Sequence, residues 1–313
     1  MDIAEIETFV AIAELGGFTR AARRLHRTQP AISRRLGLLE QELGAPVFER
    51  IRGAVRLTEA GRAFLPHAEA ALAALKDGRE AVRGLQEGWR GTVSLALVGT
   101  LADTAIVDAL RRFARRAKDV RLELRTASSR EVSDLVRRGD ASLGLRYFTG
   151  RTADLATRDA GSEAMVVVAA RGHALAGRRV RDPRVLAGER WIGFSAPAGE
   201  PDSSGHVLAR TLIRAGLDAA EIVVIDSLTA QKRLAQAGFG LALVPASSVR
   251  DELRRGLLVA LDVPAMRTAI PVIAVHRRNG YLSPAAKALL DLLTGGAPGP
   301  KALGRSGGGR RRR

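Results

Sequence analysis

Cysteine is absent from this 313-residue sequence, and histidine is scarce. Without cysteine the chain cannot form disulfide bonds, thiolate metal sites or a cysteine nucleophile. The histidines show no H-x-x-x-H or H-E-x-x-H spacing, and the one acid near a histidine, Asp202 before His206, lies in a segment with loop composition, so no metal site is predicted. The five histidines are His26, His67, His173, His206 and His276.

The motifs of two large enzyme classes are incomplete. A nucleophile elbow needs the pattern G-x-S-x-G, but Ser195 is followed by Ala196 and Pro197. A dinucleotide-binding fingerprint needs three spaced glycines, and the turn with Gly238 and Gly240 supplies two. We therefore predict that the protein is not an enzyme and uses no cofactor.

Long hydrophobic runs are also missing. The longest apolar stretches, such as Ala164–Ala170 and Ala269–Val275, have the length of a strand and are far shorter than the ~20 residues of a transmembrane helix. The start of the chain, MDIAEIE, is acidic and lacks the apolar core of a secretory signal. We therefore expect a cytoplasmic protein without a membrane partner.

Positive charge is abundant, and it is unevenly distributed. The net charge is +17, but residues 1–19 contain four acids and no lysine or arginine, whereas residues 20–56 contain nine arginines against three glutamates. A dense patch of arginine neutralises phosphates and releases their counterions, which favours nucleic-acid binding by this segment. The tail 295–313 has no apolar periodicity, so we expect it to be disordered; its final Arg310–Arg313 run either adds phosphate affinity or is merely solvated.

A first short helix is predicted directly after Gly17. Thr19 stands where an N-cap is expected, and the apolar residues that follow at helical spacing extend the helix to about His26. The apolar residues are Ala21, Ala22 and Leu25.

A second helix follows after a tight turn. Thr28 occupies the cap position, and Pro30 falls in the opening turn, where a missing N–H costs nothing. Its buried stripe consists of Ala31, Ile32, Leu36, Leu39 and Leu43. Polar side chains of the kind that pair with base edges and phosphates project from the opposite face, and these are Gln29, Ser33, Arg34 and Arg35. An ordinary amphipathic helix pair is the alternative, and the local concentration of arginine argues against it.

Residues 1 to about 60 resemble the winged helix-turn-helix of the LysR-type transcriptional regulators. The similarity is continuous from Phe9 to Gly61 and includes the QPAIS core, the LEQELG helix end, the VFER strand and the LTEAG exit. The resemblance implies that the second helix enters the major groove and that a hairpin around Arg50, Arg52 and Arg56 forms a wing. The predicted DNA-binding residues are Thr28, Gln29, Pro30, Ser33, Arg34, Arg35, Arg50 and Arg52.

The local pattern agrees with a wing. Gly44 ends the second helix, the alternation of Val47 and Phe48 with the polar residues that follow indicates a strand, and Gly53 permits a tight turn. Val55 and Leu57 then form a second short strand.

A long helix is predicted from Thr58 to about Gly88. Its apolar positions near heptad spacing are Phe64, Ala68, Ala71, Leu75, Val82 and Leu85. This spacing suits pairing with a second copy, although a helix packed on its own chain is the alternative. The resemblance favours a homodimer or homotetramer in which paired linker helices set the distance between two DNA-reading units.

Strands alternate with helices between Gly91 and Thr294, which predicts an α/β domain, and the series from Val93 to Tyr147 predicts a βαβ arrangement with a parallel sheet. The expected strands are Val93–Val98, Val120–Thr126, Ala141–Tyr147, Ala164–Ala170, Trp191–Phe194, Glu221–Ile225, Leu241–Val244 and Pro271–His276. The expected helices are Thr100–Ala117, Ser129–Arg138, Gly205–Ala215, Leu228–Ala237 and Pro284–Leu293.

The resemblance implies that this domain has two lobes like a periplasmic binding protein, with a ligand cleft between them. The expected divisions are a winged helix-turn-helix at 1–59, a dimerising linker helix at 60–90, an effector-binding domain at 91–294 and a tail at 295–313. Within the effector-binding domain, lobe I covers about 91–161 and 268–294, and lobe II covers about 162–267.

Helix starts and strand ends in this domain carry polar residues suited to an anion. Thr100 with Asp103 and Ser128 with Glu131 have the spacing of capping boxes. By resemblance, the effector pocket is lined by Thr100, Ser128, Ser129, Arg146, Ser195 and Thr229. The planar fork of Arg146 suits a carboxylate, but Arg146 could instead point to solvent or pair with Asp140, and serine or threonine at a helix start is often only a cap.

Together these patterns predict a sequence-specific, DNA-binding transcriptional regulator of LysR type that senses a small molecule, perhaps a carboxylate. A ligand-independent repressor or architectural DNA-binding protein is one alternative. An enzyme that uses the C-terminal lobes is the other.

Overall fold

The structure is a computed structural model that describes residues 1–51, 54–87, 89–103, 106–148, 150, 153–196 and 204–295. It divides into two compact units. The first unit contains Met1–Gly88 with the short segments Arg137–Asp140 and Asn279–Ser283, and the second contains the rest of the chain.

The first unit is built from helices and one hairpin. Its elements are α1 (Ile3–Leu15), α2 (Phe18–Arg24), α3 (Gln29–Leu43), β1 (Phe48–Ile51), β2 (Ala54–Leu57) and α4 (Glu59–Glu87). The hairpin is antiparallel, with Phe48 opposite Leu57. Its turn, with Gly53 and Arg52, lies outside the described residues.

The ends of α2 differ from the prediction. Its N-cap is Gly17, so the prediction that Thr19 caps this helix is wrong, and Thr19 lies inside the first turn. The helix ends at Arg24 because His26 adopts a left-handed backbone conformation with φ 51°. The amide of Arg27 then donates to the carbonyl of Ala22 at 2.9 Å, which closes the turn.

The bounds of α3 agree with the prediction. Thr28 is the N-cap, Pro30 lies in the opening turn, and Gly44 ends the helix with φ 69°. The hydroxyl of Thr28 makes no capping hydrogen bond in this structure. The predicted buried stripe is confirmed for Ile32, Leu36 and Leu39, while Ala31 and Leu43 are half-buried.

An aromatic cluster holds the first unit together. Phe9 is fully buried, and its ring centroid lies 5.4 Å from that of Phe48 and 5.2 Å from that of Phe64. These contacts join α1, the hairpin and α4, so the wing and the start of the long helix share one core with the helix pair. Helix α4 continues through Pro66 and Gly78.

The second unit is an α/β fold with a nine-stranded sheet. Its elements are β3 (Gly91–Val98), α5 (Ile106–Arg116), β4 (Val120–Ala127), α6 (Ser129–Arg137), β5 (Leu143–Tyr147), β6 (Leu155–Ala170), β7 (Trp191–Gly193), α7 (Ser204–Arg214), β8 (Ile222–Val224), α8 (Leu228–Gln236), β9 (Leu241–Pro245), α9 (Arg250–Arg254), β10 (Leu258–Leu261), β11 (Thr268–Arg277) and α10 (Pro284–Thr294). Short 3-10 segments occupy Gly99–Asp103, Pro183–Leu186, Ala246–Val249 and Pro264–Met266.

The sheet is mixed, and the parallel βαβ series predicted for Val93–Tyr147 is confirmed as one part of it. Strands β3, β4 and β5 are parallel to one another, as are β7, β8 and β9. The long strands β6 and β11 run antiparallel to their neighbours and to each other. Each of the two long strands therefore takes part in both lobes, and the chain crosses from one lobe to the other along them.

Four elements differ from the sequence prediction. Strand β6 begins at Leu155, well before the predicted Ala164. The predicted helix from Thr100 is instead a 3-10 segment at 99–103, with α5 beginning at Ile106. Strand β10 and helix α9 were not predicted. Strand direction and short elements depend on partners distant in sequence, which periodicity along one segment does not reveal.

Each lobe has its own apolar core. In lobe I the buried residues include Val132, Val136 and Ile273, which pack α6 against β11. In lobe II they include Val168, Ile192 and Val244, which lie on β6, β7 and β9. Both cores leave the carboxyl ends of the parallel strands at one edge of each lobe, where binding sites of α/β sheets usually lie.

Candidate nucleic-acid interface and ligand cleft

The surface of α3 is split into a buried and an exposed face. Ile32, Leu36 and Leu39 contact the core at spacings of four and three residues. Gln29 and Ser33 are four residues apart on the other side, and Pro30 and Arg34 form the adjacent stripe. All four are exposed, and Arg35 beside them is half-buried. The face carries donors and acceptors without any acidic side chain, which suits base edges and phosphates.

One contact joins the two helices of the motif at the start of α3. The Thr19 hydroxyl donates to the side-chain oxygen of Gln29 at 3.3 Å. This bond restricts the rotamer of Gln29, which reduces the ordering cost when the side chain meets a partner. Sequence reasoning assigned Thr19 to a cap and missed this role.

The hairpin presents a second basic position. The guanidinium carbon of Arg50 lies 5.6 Å from the centroid of the Phe18 ring, and Arg50 is exposed. Stacking on a ring holds an arginine side chain in place while its N–H groups stay in solvent. Arg56 on β2 is also exposed, and the predicted contact residue Arg52 lies outside the described residues.

The predicted effector residues of lobe I lie at one sheet edge. Val98 pairs with Ala127, and Leu97 pairs with Leu145, so the segments after β3, β4 and β5 end side by side. Thr100, the pair Ser128 and Ser129, and Arg146 therefore belong to the same edge. The Thr100 hydroxyl lies 2.8 Å from the hydroxyl of Tyr147, a fully buried residue that was not predicted.

The two expected capping boxes have different outcomes. Thr100 does not open a helix, and the side chain of Asp103 lies outside the described part of the chain. Ser128 does cap α6: its amide donates to the Glu131 carboxylate at 2.9 Å, and the Glu131 amide donates to the Ser128 hydroxyl at 3.3 Å. The hydrogen bond that the Ser128 amide donates to the carboxylate, and then one from the Ser128 side chain, hold the pKa of Glu131 below its usual value.

Arg146 is almost completely buried, with 6% of its surface exposed. Its Nη1 donates to the carbonyl oxygens of Tyr147 at 3.3 Å and Phe148 at 3.2 Å, and its Nη2 donates to that of Gly150 at 2.7 Å. Asp140, the acid considered as its partner, pairs instead with Arg138 at 3.1 Å. The guanidinium thus fastens the chain that leaves β5, and its predicted contact with a carboxylate stays a prediction.

The predicted residues of lobe II also lie at one edge. Gly193 pairs with Val224, so the segments that follow β7 and β8 leave the sheet at the same level. Ser195 is exposed after β7, and Thr229 is exposed in the first turn of α8, whose N-cap is Ser227.

Two buried polar residues near this edge were not predicted as site residues. Gln231 donates from its side chain to the carbonyl of Ile225 at 3.3 Å and is 1% exposed. The Ser247 hydroxyl is buried and has no hydrogen-bond partner among the described residues. A buried helix-face glutamine and a serine in a short turn give no periodic signal, so sequence reasoning had little means of finding them.

The edges of the two lobes approach one another. Cα atoms of the 99–103 segment lie within 8 Å of those of the 246–249 segment. A second contact joins Phe148, at the end of β5, to Arg210 on α7, with the guanidinium carbon 5.9 Å from the ring centroid. These two contacts bring the ends of β3 and β5 in lobe I close to the end of β9 and to α7 in lobe II.

No group of histidine, cysteine or acidic side chains with metal-binding geometry is found among the described residues. Within the same residues, no helix is both long and apolar enough to cross a membrane.

A winged helix-turn-helix linked by a long helix to a two-lobed α/β domain is the architecture of a DNA-binding regulator with its own ligand-binding domain. Two family models match the chain: the bacterial regulatory helix-turn-helix of the lysR family over residues 3–62, and the LysR substrate binding domain over residues 86–298. The chain therefore belongs to the LysR family of transcriptional regulators, as the resemblance of its N-terminal segment predicted.

Curated relatives match along nearly the whole chain. The transcriptional regulator IlvR of Caulobacter vibrioides is 34% identical over 309 residues, which cover 95% of this chain and 100% of that protein. The regulator TfdS of Cupriavidus pinatubonensis is 28% identical over 294 residues, which cover 93% of this chain and 97% of that protein. The protein is thus a DNA-binding transcriptional regulator with a substrate-binding effector domain.

Solved structures show the same fold. CbnR, a LysR family regulator in complex with its target DNA, is 24% identical with a TM-score of 0.63, over 94% of this chain and 99% of that one. ArgP from Mycobacterium tuberculosis is 21% identical with a TM-score of 0.64, over 94% of this chain and 97% of that one.

Proposed function

We propose that the regulator reads its operator with the exposed face of α3 and contacts the neighbouring backbone with the hairpin. The contact residues are Thr28, Gln29, Pro30, Ser33, Arg34, Arg35, Arg50 and Arg52. The observation that carries the proposal is the division of α3 into a fully packed apolar face and an exposed face of amide, hydroxyl and guanidinium groups. Arginine at such a position pairs with guanine, and glutamine pairs with adenine.

The test begins with selection of preferred sites from a random duplex library by the full-length protein. Operator affinity is then measured for wild type, Gln29→Ala and Arg34→Ala on the selected site and on sites with single base changes. Loss of a base contact should weaken binding by ~1–3 kcal/mol and relax the preference at one position of each half-site.

Arg111→Ala is the matched control, because Arg111 is an exposed arginine of α5, in a different unit from α3. It should leave operator affinity nearly unchanged. Unchanged affinity and unchanged base preference in both α3 variants would show that this helix is not the reader.

A homodimer, or a tetramer made of dimers, forms in this proposal through α4. Leu75 and Val82 are apolar residues of this helix that are 41% and 60% exposed. Next to them a groove between α1 and α4 is lined by Ile3, Glu7, Leu72, Leu75, Lys76, Arg79, Glu80 and Arg83. Large apolar side chains left in solvent at near-heptad spacing favour a second helix as their partner.

The effector in this proposal is a small anion such as a carboxylate, bound in the cleft of the 91–294 domain. Its candidate contacts are Thr100, Ser128, Ser129, Arg146, Ser195 and Thr229. The proposal is supported by hydroxyl groups and helix starts at the strand ends of both lobes, by the approach of the 99–103 and 246–249 segments, and by arginines on β5 and α7.

In this proposal the regulator acts in the cytoplasm, where bacterial operators lie. Its effector domain performs no catalysis. The functional division follows the expected bounds, with DNA reading at 1–59, pairing at 60–90 and sensing at 91–294. Binding of the effector changes the spacing of the two reading units. Operator footprints that never change with any metabolite would favour the ligand-independent alternative.

A further inference from the structure

We infer that Arg210, on α7 of lobe II, provides the positive charge that recognises the anionic effector, while Arg146 positions the cleft wall. The inference rests on the proposed function, because it takes a small anion as the effector and names the side chain that selects it. Arg210 is not among the residues that the sequence pattern or the resemblance assigned to the pocket.

The guanidinium of Arg146 already has hydrogen-bond partners in the main chain. Three of its hydrogen bonds go to main-chain oxygens, those of Tyr147, Phe148 and Gly150. Because these bonds stabilise the chain where it leaves β5, an anion that took over the guanidinium would leave buried carbonyl groups without their partner. The geometry therefore gives Arg146 a positioning role.

The hydrogen bonds of Arg146 help to hold Phe148 in a strained backbone conformation. Phe148 has a left-handed backbone conformation with φ 67°, which is costly for a residue with a side chain. The carbonyl of Phe148 accepts from Arg146, and its amide donates to the carbonyl of Pro271 at 2.9 Å. The strained conformation is thus held on both sides, and it directs the Phe148 ring toward Arg210 of the other lobe.

The guanidinium of Arg210 contacts the Phe148 ring and can still donate hydrogen bonds to a ligand. A guanidinium stacked over a ring uses its face, and its N–H groups at the edge stay able to donate two parallel hydrogen bonds. Arg210 is exposed, and no ion pair of Arg210 is found within the described part of the chain. This arrangement is a pre-oriented fork for a carboxylate.

The Phe148 ring lies between Arg210 and polar groups of lobe I. The Phe148 ring centroid lies 6.4 Å from that of Tyr147, whose hydroxyl lies 2.8 Å from the Thr100 hydroxyl. Arg210 of lobe II and the side chains of Phe148, Tyr147 and Thr100 of lobe I thus form a row of neighbouring contacts, and the anion in this proposal lies at the Arg210 end of the row.

The experiment compares carboxylates with their neutral amides on the full-length protein. The probes are acetate, succinate and benzoate against acetamide, succinamide and benzamide, first by thermal shift and then by calorimetry on the best pair. A ligand of the folded state raises the melting temperature according to its concentration relative to Kd, so a carboxylate that binds should raise it more than its amide.

Arg210→Gln should remove the preference for the carboxylate and raise its Kd on the order of tenfold or more. Arg210→Lys keeps the charge but not the fork, so its loss should be smaller, and it carries the test if Arg210→Gln does not fold. Arg214→Gln is the matched control on the same helix and should keep the wild-type preference. Arg146→Lys should lower the melting temperature without ligand.

Two results would overturn the inference. In the first, a carboxylate stabilises wild type and Arg210→Gln equally, which leaves the anionic effector standing and removes Arg210 from its recognition. In the second, Arg214→Gln loses the preference as strongly as Arg210→Gln, which would show only a general effect of charge. If no carboxylate stabilises wild type more than its amide, the anionic effector of the proposed function fails, and this inference fails with it.

Discussion

The DNA-reading unit and the substrate-binding unit place their candidate site residues in different ways. In the first unit the main contact residues lie within two turns of one helix, and the exposed face expected from sequence is the exposed face observed. In the second unit the candidate residues come from five segments of both lobes, and two of these residues, Thr100 and Arg146, have partners that the sequence pattern did not indicate. A site on a single helix follows from local periodicity, whereas a site assembled at strand ends depends on how distant segments meet.

The largest effect is expected from breaking the core of the first unit alone. Phe9→Ala removes the ring that packs against Phe48 and Phe64, and it should destabilise this unit by ~3–5 kcal/mol. Because the second unit has separate cores, calorimetry should show one transition moved to lower temperature and one retained. Phe239→Ala, at a residue that is 46% exposed in the second unit, is the control and should cost less than about 1 kcal/mol. A single transition that shifts as a whole would show that the units are not independent.

Substitution of charged residues into α4 tests whether two copies of the chain form a dimer through this helix. The double variant Leu75→Glu and Val82→Glu should prevent dimer formation, because an unpaired charge in an apolar interface costs several kcal/mol, of order 3–5. Mass measurement in solution should show a monomer, and affinity for a two-fold operator should fall. Leu257→Glu is the control, since Leu257 is 45% exposed in the second unit while Leu75 is 41% exposed. A wild-type protein that is a strict monomer at micromolar concentration would contradict the proposed dimer.

Gly61 and Gly78 both lie in α4, so helix propensity predicts the same stabilisation when either is replaced by alanine. Their tertiary contacts differ. A Cβ on Gly61 would lie 2.1 Å from the carbonyl oxygen of Val47, whereas a Cβ on Gly78 would meet no atom within 4 Å. Gly61→Ala should therefore destabilise the first unit by ~1–3 kcal/mol, and Gly78→Ala should stabilise the helix by ~0.5–1 kcal/mol. Chemical denaturation of both variants measures the two signs. Equal effects in the same direction would show that helix propensity alone governs both positions.

The smallest effect is expected at the cap of α6 in the second unit. The pKa of Glu131 is lowered in the folded state, so its hydrogen bonds with Ser128 contribute stability above the ordinary carboxyl pKa of 4.5, and this contribution is lost as pH falls through the lowered value. Because Glu131 is exposed, the contribution is small, about 0.5–1 kcal/mol. Glu131→Gln should reduce stability at pH 7 and reduce its loss on acidification. Thermal melts from pH 7 to pH 3 that are parallel for wild type and variant would contradict this assignment.

Sequence patterns located most of the helices and strands of the second unit but not their arrangement. Strands β3, β5 and β9 were expected near their observed bounds, since each is a short apolar run between turn residues. The antiparallel direction of β6 and β11 was not expected, because an apolar run looks the same whichever way it pairs. The missing half of β6, from Leu155, is largely polar and gives no strand signal.

The sequence by itself indicated the family, through the resemblance of its N-terminal motifs to LysR-type regulators, and determined which face of α3 is exposed. The exposed face follows from periodicity, because a helix repeats every 3.6 residues and buried and exposed positions therefore recur at fixed spacings. Only the tertiary structure decided that Arg146 fastens the end of β5 and that Arg210 meets Phe148 across the cleft. The Arg210–Phe148 contact joins the two lobes, so both must fold before these side chains can meet. The partners of Arg146 are close in sequence, but they depend on the path that the chain takes after β5, which no periodic pattern indicates.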